Sequence, residues 1–320
     1  MKLIDMHCDT LWKLMDLDKE GDLSKNHCSV SIPYMKSSGT MVQFFACFTR
    51  FGEYENAGGY DSAYEHVRSM IAYMKRQTVR FSKELSLADS WSKIEEHMHQ
   101  GRISAVLTVE EGGVLNGRME RLEELYRDGI RLITPLWNYE NCIGFPNSQD
   151  ASIMKEGLKP FGREVVEYMG KLGMIVDVSH ASDGTFWDIL ECARGPVVAS
   201  HSNCRALTTH PRNLTDDMIH ALAGRGGVAG VNFYGPFLGN PKVSSIDQMV
   251  RHILHMLRVG GSEFPAIGTD FDGFDGMEIM EIPDVSQMER LWDALKRSGV
   301  PESQIDKIWY GNAARILQSV

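Results

Sequence analysis

A histidine and an aspartate lie two residues apart near the start of the sequence, in the stretch Ile4-Asp5-Met6-His7-Cys8-Asp9-Thr10. The apolar residues before them predict a short β-strand, in which side chains two positions apart point to the same side. His7 and Asp9 should therefore project side by side from the end of that strand. An imidazole and a carboxylate placed this way are ligands for zinc and similar divalent ions. Taken alone, the pair could also be the solvent-facing end of a strand, so the other strands decide the interpretation.

The same pattern recurs along the chain, because further apolar runs that predict strands also end in a histidine or a carboxylate. The additional strand-end residues are Glu110, His180, His201 and Asp270. Any one of them could cap a helix or make an ordinary hydrogen bond. Three histidines and three carboxylates that all follow predicted strands indicate a metal site instead.

Eight short apolar runs, rich in β-branched and aromatic residues, predict eight strands. After the opening strand they cover residues 41–48, 103–109, 130–134, 174–178, 196–199, 227–233 and 265–269. Helices are predicted at 11–17, 61–81, 88–98, 119–127, 163–172, 186–194, 215–223, 246–259, 286–297 and 303–318. Continuously apolar strands that alternate with helices are typical of a parallel sheet covered on both faces.

The count of eight favours an α/β fold closed into a (β/α)8 TIM-type barrel over an open doubly wound sheet. No glycine-rich dinucleotide-binding pattern follows the first strand, which also argues against the open sheet. No linker or repeat interrupts the 320 residues, so we expect a single domain over residues 1–320. Active sites of such barrels lie at the carboxyl ends of the strands, where all six candidate residues are predicted.

Composition limits the classes of partner. The net charge is −10 and no run of lysine and arginine forms a basic surface, which argues against nucleic acid and anionic membranes. No segment is apolar enough to span a bilayer, and the first residues do not form a signal-peptide pattern. The six cysteines lack CxxC spacing and are expected to be free thiols. We therefore expect a cytoplasmic protein.

The candidate ligands are too many for one catalytic zinc ion. His7, Asp9, Glu110, His180 and His201 are five, whereas a tetrahedral zinc that keeps a position for water needs three. Two ions that share the glutamate would account for all of them. Two neighbouring ions can activate water and polarise a carbonyl group, while Asp270 stays free to carry a proton from the attacking water to a leaving amine. This chemistry suits hydrolysis of an amide or an ester.

Seven motifs, taken in their order and spacing, resemble the membrane (renal) dipeptidase family of zinc peptidases. They are Asp5-Met6-His7-Cys8-Asp9, Val109-Glu110-Glu111-Gly112-Gly113, Val176-Asp177-Val178-Ser179-His180, Ser200-His201-Ser202, Arg212-Asn213, Gly268-Thr269-Asp270-Phe271-Asp272-Gly273 and Gly311-Asn312-Ala313-Ala314-Arg315-Ile316-Leu317. The resemblance covers nearly the whole chain. It implies a bacterial-type cytoplasmic member with a barrel fold and two zinc ions.

The resemblance assigns the five ligands to two ions. His7 and Asp9 match the ligands of one zinc ion, and Glu110 matches the carboxylate that bridges to the second ion. His180 and His201 match the ligands of that second ion. The family pattern often has one glutamate before the paired glycines, so Glu111 stays an alternative bridging ligand, although the spacing along the strand favours its neighbour.

The resemblance also implies the substrate, a dipeptide with a free carboxylate and with tolerance of a D-residue at the C-terminal position. Asp270 matches the acidic residue that handles the proton. Arg212 matches the arginine that binds the substrate carboxylate, a role that suits a guanidinium fork.

The chain departs from the family pattern at two places around the expected pocket. Trp137 stands where mammalian-type enzymes have a histidine that stabilises the oxyanion. Asn138 could donate a hydrogen bond to that oxyanion, or Trp137 could form a wall of the pocket. Phe237 stands where a tyrosine often assists carboxylate binding, which leaves this task to Tyr234 or Arg212.

Two other interpretations stay open from the residues. The first is another amidohydrolase-type enzyme that acts on a lactone, a phosphoester or an amine-bearing substrate. The second is a barrel that binds metal and peptide without turnover. Manganese and cobalt accept ligands similar to those of zinc, so the native metal is open, as are side-chain preference and homodimer formation.

Overall fold

The computed structural model describes all 320 residues and is organised around eight parallel strands. The strands are β1 (Leu3–Asp5), β2 (Thr40–Phe48), β3 (Ile103–Glu110), β4 (Ile130–Thr134), β5 (Ile175–Asp177), β6 (Val197–Val198), β7 (Ala229–Val231) and β8 (Pro265–Ile267). Each strand pairs with the next one along the chain from β1 to β6, β7 pairs with β8, and β8 pairs with β1.

Backbone hydrogen bonds between the ends of β6 and β7 close the barrel. Ala199 N donates to Val228 O at 2.9 Å, and Gly230 N donates to Ala199 O at 2.8 Å. The predicted (β/α)8 barrel is therefore confirmed. Closure places the carboxyl ends of all eight strands around one opening.

Helices surround the barrel. Their bounds are Thr10–Trp12, Ile32–Ser38, Gly59–Arg80, Trp91–His99, Met119–Arg127, Pro160–Leu172, Asp183–Cys192, Asp216–Gly224, Gly235–Leu238, Ile246–Gly260, Glu289–Arg297, Glu302–Asp306 and Asn312–Leu317. Two π-helical turns, Lys13–Leu17 and Lys307–Gly311, continue the first of these helices and join the last two. None of the helices has both the length and the apolar character needed to cross a membrane.

Capping side chains explain where several of these helices begin. Ser182, Thr215 and Ser245 each accept a hydrogen bond from the backbone N–H three residues later. These bonds satisfy N–H groups that have no partner inside the helix. The helix Pro160–Leu172 ends at Gly173, whose φ of 73° is a left-handed conformation that favours glycine.

Several segments differ from the prediction. No helix is predicted over residues 32–38, but the structure has the helix Ile32–Ser38, which Ser31 caps and which has a proline in its first turn. The helix predicted from residue 88 begins at Trp91, because Leu85–Leu87 forms an extra strand beside β3. The last predicted helix is divided into the three pieces given above.

The interior of the barrel is filled with apolar side chains rather than open. Every strand or its immediate N-terminal neighbour contributes to this cluster, and the last helix packs against it. Its members include Ile4, Val42, Phe44, Val106, Leu132, Ile175, Val198, Val228, Ala266, Ala313 and Ile316. A filled interior leaves the carboxyl ends of the strands as the place for a site.

Candidate metal centre and active site

The six residues predicted for the metal site and the proton transfer lie together at the carboxyl ends of the strands. Side chains come from the ends of five strands: His7 and Asp9 (after β1), Glu110 (end of β3), His180 (after β5), His201 (after β6) and Asp270 (after β8). All six are buried, and the most exposed of them is only 9% accessible.

Backbone hydrogen bonds hold the residues after β1 against those after β8. Asp270 N donates to His7 O at 3.2 Å, and Asp9 N donates to Phe271 O at 2.9 Å. Glu110 is the last residue of β3 and is fixed by strand pairing on both sides, opposite Phe48 in β2 and Thr134 in β4. Backbone pairing at the strand ends and directly after them therefore positions these groups.

The carboxylate of Glu110 lies at the centre of the cluster. Its Oε2 is 3.3 Å from His7 Nε2, and its Oε1 is 2.9 Å from His180 Nε2 and 3.5 Å from His201 Nε2. Asp9 Oδ2 is 3.1 Å from the same His7 nitrogen. Each oxygen of Glu110 thus faces a different set of side chains.

Ligand atoms converge in three overlapping groups, and within each group they lie within 4.8 Å of one another. The groups are His7–Asp9–Glu110, Glu110–His180–His201 and His7–His201–Asp270. The first two share Glu110 and divide the side chains in the way that two metal ions would require.

The hydrogen bonds of two histidines direct the lone pairs of their Nε2 atoms into the cluster. Asn138 Oδ1, which can only accept, is 3.2 Å from His180 Nδ1, so the hydrogen of that ring lies on Nδ1. Ser200 Oγ donates to Asp177 Oδ2 and therefore accepts from His201 Nδ1 at 2.7 Å. Both Nε2 atoms then present lone pairs to one another 3.1 Å apart. A metal ion held by both nitrogen atoms would relieve this repulsion.

Asp9 provides a second, independent sign that the cluster suits a cation. Its Oδ1 is buried and has no hydrogen-bond partner, which is costly for a carboxylate oxygen. Gly273 keeps the space beside it, because a Cβ atom at this glycine would lie 2.3 Å from Asp9 Oδ2 and 2.4 Å from Asp270 Oδ1. The donor set of nitrogen and carboxylate oxygen atoms fits zinc.

The pKa values of three of the ligands suit metal binding. Burial and the Arg212 charge lower the pKa of His180 to about 4, and burial and His7 hold the pKa of His201 well below its usual value. Burial would raise the pKa of Glu110, but the charge of His7 and the hydrogen bonds of the histidines hold it well below its ordinary value. Neutral imidazoles and an ionised carboxylate are the forms that bind a metal ion. His7 differs, because its two neighbouring carboxylates outweigh burial and hold its pKa well above the usual value, so a metal ion would have to displace the proton of this ring.

Asp270 lies at the edge of the cluster with one oxygen towards it. Its Oδ1 is 3.8 Å from His7 Nε2, and its Oδ2 accepts a hydrogen bond from Asn232 Nδ2 at 2.7 Å. Burial raises the pKa of Asp270 to about 6. Asn232 directly follows β7, so it fits the strand-end pattern but was not among the predicted residues.

The carboxylate of Glu111 points away from the metal cluster. It accepts hydrogen bonds from Gly113 N at 2.8 Å, Asn141 Nδ2 at 2.6 Å and Trp137 N at 3.3 Å. The backbone φ of 92° at Glu111 turns the chain out of β3. The structure therefore places Glu110 at the cluster and Glu111 in the loops beside it.

A cavity of about 280 Å³ opens above the cluster, a size that suits a small molecule rather than a polymer. Its aromatic lining residues are Trp12, Phe48, Trp137, Tyr234, Phe237 and Phe274. Arg50 and Asp275 also line it. The strand-end pattern could not reveal Trp12, Arg50 or Phe274, because loops and a short helix bring them to the opening.

Arg212 lines the same cavity and is only 4% exposed. One Nη donates to Ser202 Oγ at 3.2 Å, and the other donates to His201 O at 3.3 Å and lies 3.1 Å from His180 Nε2. No carboxylate forms an ion pair with this guanidinium, and its Nε has no hydrogen-bond partner. Burial lowers the pKa of Arg212 to about 10. A buried cation without a counter-ion is a place for an anionic group of a ligand.

Trp137 and Asn138, at the first departure from the family pattern, have different roles in the structure. Trp137 packs with its ring centre 4.9 Å from that of Phe48 and 6.3 Å from that of His180, so it forms a wall of the cavity. Asn138 has its Oδ1 directed at His180, which is an orienting contact. The rings of Tyr234 and Phe237 are in edge contact at 4.9 Å.

Comparison with known proteins agrees with this geometry. The model of the membrane dipeptidase family (peptidase family M19) matches residues 1–320. A Klebsiella pneumoniae protein, described as an uncharacterized protein in the pqqA 5' region, is 34% identical over 260 residues, which cover 78% of this chain and 94% of that protein. An uncharacterized dipeptidase of Schizosaccharomyces pombe is 28% identical over 333 residues, covering 98% and 79%.

The fold is similar to that of a solved metallopeptidase from Rhodobacter sphaeroides liganded with a phosphinate mimic of the dipeptide L-Ala-D-Ala. The TM-score is 0.90 at 22% identity, over 100% of this chain and 99% of that chain. The fold, the cluster of metal-binding side chains and the family match over the full length lead to one conclusion. The chain belongs to the membrane dipeptidase family, peptidase family M19, and is a metallopeptidase that hydrolyses dipeptides.

Proposed function

We propose that the chain is a binuclear zinc dipeptidase whose two ions share one carboxylate. The proposed ligands are His7, Asp9, Glu110, His180 and His201. The observation that carries the proposal is the position of Glu110, whose two oxygens face the two separate groups of ligands. When bound, the ions would supply an activated water and an electrophile for the scissile carbonyl. Manganese or cobalt could occupy the same ligands.

Asp270 is proposed to carry the proton. A carboxyl group with a pKa near 6 can accept and donate a proton near neutral pH. It would take one proton from the attacking water and deliver it to the amine nitrogen as the C–N bond breaks. The hydrogen bond from Asn232 holds one oxygen, which leaves the other directed towards the cluster.

Arg212 is proposed to bind the free carboxylate of the dipeptide. Its burial, its place in the cavity and its lack of a counter-ion support this role. Tyr234 and Trp137 would contact the substrate as walls of the cavity, since both line it. Asn138 would act through the orientation of His180 rather than as an oxyanion donor.

The proposed substrate class includes dipeptides with a D-residue at the C-terminal position. The dipeptide mimic bound by the structurally similar Rhodobacter enzyme has that stereochemistry, which supports the proposal. A single domain over residues 1–320, a cytoplasmic location and homodimer formation are expectations from the sequence and belong to the same proposal.

Arg212→Ala tests the proposal against another amidohydrolase activity. Charge-assisted hydrogen bonds contribute about 1.5–3 kcal/mol each, so kcat/KM for a free dipeptide should fall by roughly 10- to 100-fold. Inhibition by the same dipeptide amidated at its C-terminus should change little, because that compound has no carboxylate to lose. Steady-state kinetics and inhibition constants provide both values.

The control for this variant is its zinc content, because Arg212 also contacts His180. Arg212→Lys, which keeps the charge but loses the fork, should fall between the wild type and the alanine variant. Equal losses for the free and amidated compounds, with zinc retained, would contradict carboxylate binding and favour a different substrate.

A further inference from the structure

Two buried aspartates that are not among the proposed ligands lie directly below the metal cluster. Asp5 is the last residue of β1 and Asp177 is the last residue of β5, and both are fully buried. Neither lines the cavity, and neither forms an ion pair with the side chain of a lysine, an arginine or a histidine. Each carboxylate is instead surrounded by hydrogen-bond donors from neighbouring strands and from the residues that follow them.

Asp177 connects the two turns that carry His180 and His201. Its Oδ1 accepts from Ser179 N at 3.0 Å, Ser179 Oγ at 2.6 Å and Ser200 N at 2.8 Å. Its Oδ2 accepts from Ser200 Oγ at 2.5 Å and from the Oγ1 of Thr134, the last residue of β4, at 2.8 Å. The two serines directly precede the two histidines, so one carboxylate fixes the backbone of both turns.

Asp177 also determines which nitrogen of His201 can bind a metal ion. Ser200 Oγ gives its only hydrogen to Asp177, so it must accept from His201 Nδ1. The lone pair of this ring then lies on Nε2, which faces the cluster. Without the carboxylate, the serine could donate to Nδ1 instead and place the ring hydrogen on Nε2.

Asp5 has the corresponding position below the other half of the cluster. Its Oδ1 accepts from Thr269 N at 2.9 Å and His7 N at 3.4 Å. Its Oδ2 accepts from Thr269 Oγ1 at 2.7 Å and Gln43 Nε2 at 3.0 Å. Thr269 directly precedes Asp270, so this carboxylate joins the end of β1 to the middle of β2 and to the residues that follow β8.

We propose that Asp5 and Asp177 are positioning residues, each of which fixes one half of a two-ion centre. Asp5 would fix the half with His7 and Asp9, and Asp177 the half with His180 and His201. The two sets of donors have no residue in common, so the halves can be weakened separately. This inference rests on the proposed two-ion function.

Zinc titration of the metal-free variants Asp177→Asn and Asp5→Asn tests the inference. Competition with a chromophoric chelator measures affinity, and mass spectrometry of the intact chain measures stoichiometry. Each variant should keep one tightly bound ion and bind the other about 10- to 100-fold more weakly. In Asp177→Asn, the new NH2 group takes the place of an oxygen that accepts from two or three donors. Because NH2 cannot accept a hydrogen bond, neither orientation of the amide restores the hydrogen bonds of the carboxylate.

Double variants identify the affected half. The double variant of Asp177→Asn and His180→Ala should bind as much zinc as His180→Ala alone, because both changes affect the same ion. The double variant of Asp177→Asn and His7→Ala should bind both ions more weakly, because the changes affect different ions. Thr134→Val is the matched control, since it removes one of the five donors to Asp177 without touching either histidine turn. It should bind both ions like the wild type.

Ser200→Ala is the second variant if Asp177→Asn does not fold, because it removes the hydroxyl that links Asp177 to His201 and leaves the four other donors to Asp177 in place. This variant should bind one zinc ion more weakly and the other with the affinity of the wild type. The inference would be overturned if the folded variants bound both zinc ions equally more weakly, or if they bound both with the affinity of the wild type. A wild type that binds two zinc ions but cleaves no dipeptide would contradict the proposed activity alone. A wild type that binds a single ion would overturn the two-ion centre and this inference with it.

Discussion

Glu110→Gln should weaken the binding of both metal ions together and remove most of the dipeptide hydrolysis. The amide keeps the shape of the side chain but removes the charge that faces His7 on one side and His180 on the other. Loss of the metal contribution, several kcal/mol of transition-state stabilisation, corresponds to a fall of at least about 1,000-fold in kcat/KM. Zinc content and steady-state kinetics measure the two effects.

Glu111→Gln is the matched control for this variant, because the same change is made one residue away. Its carboxylate holds the loops through Gly113, Asn141 and Trp137 and does not reach the cluster. The control should keep both zinc ions, with any loss limited to thermal stability. The opposite result, with zinc lost from Glu111→Gln and kept by Glu110→Gln, would assign the bridging role to Glu111.

Asp270→Asn should reduce kcat by about 10²- to 10⁴-fold, the usual contribution of a general acid or base, while the zinc content stays at the wild-type value. The side chain keeps its size but can no longer accept a proton. Because burial raises the pKa of Asp270 to about 6, wild-type kcat should fall as the pH drops through this region and the carboxylate becomes protonated.

The acid limb of the pH profile should therefore be absent from the residual activity of Asp270→Asn. Zinc content separates this role from metal binding, since Asp270 also lies near His7 and His201 in one group of potential ligands. Loss of one ion from the asparagine variant would contradict the proton-transfer role and make Asp270 a ligand.

Much of the architecture could be predicted because strand-forming segments of a parallel barrel are apolar along their whole length. The strand-end pattern located the cluster for the same reason, since all carboxyl ends meet at one opening. It could not separate Glu110 from Glu111, because the left-handed backbone at Glu111 that turns its side chain away has no signature in the residue types. Family spacing favoured the residue that the structure places at the cluster.

The residues that the sequence did not reveal depend on long-range packing. Phe48, Arg50 and Phe274 come from separate parts of the chain and form one cavity only after the barrel closes. The hydrogen bonds of Asp5 join it to Thr269, which is 264 residues away. Periodicity describes which face of an element is buried, but it carries no information on such contacts.

Amino-acid release from a panel of L-L and L-D dipeptides, measured on metal-free protein with and without added zinc, tests the central claim most directly. We expect release that depends on zinc and saturates at two ions per chain, with L-D dipeptides among the substrates. Zinc-dependent release that saturates at one ion would contradict the binuclear centre. Absence of release from every dipeptide, with two zinc ions bound, would contradict the dipeptidase activity and leave a different hydrolase or a silent binding protein.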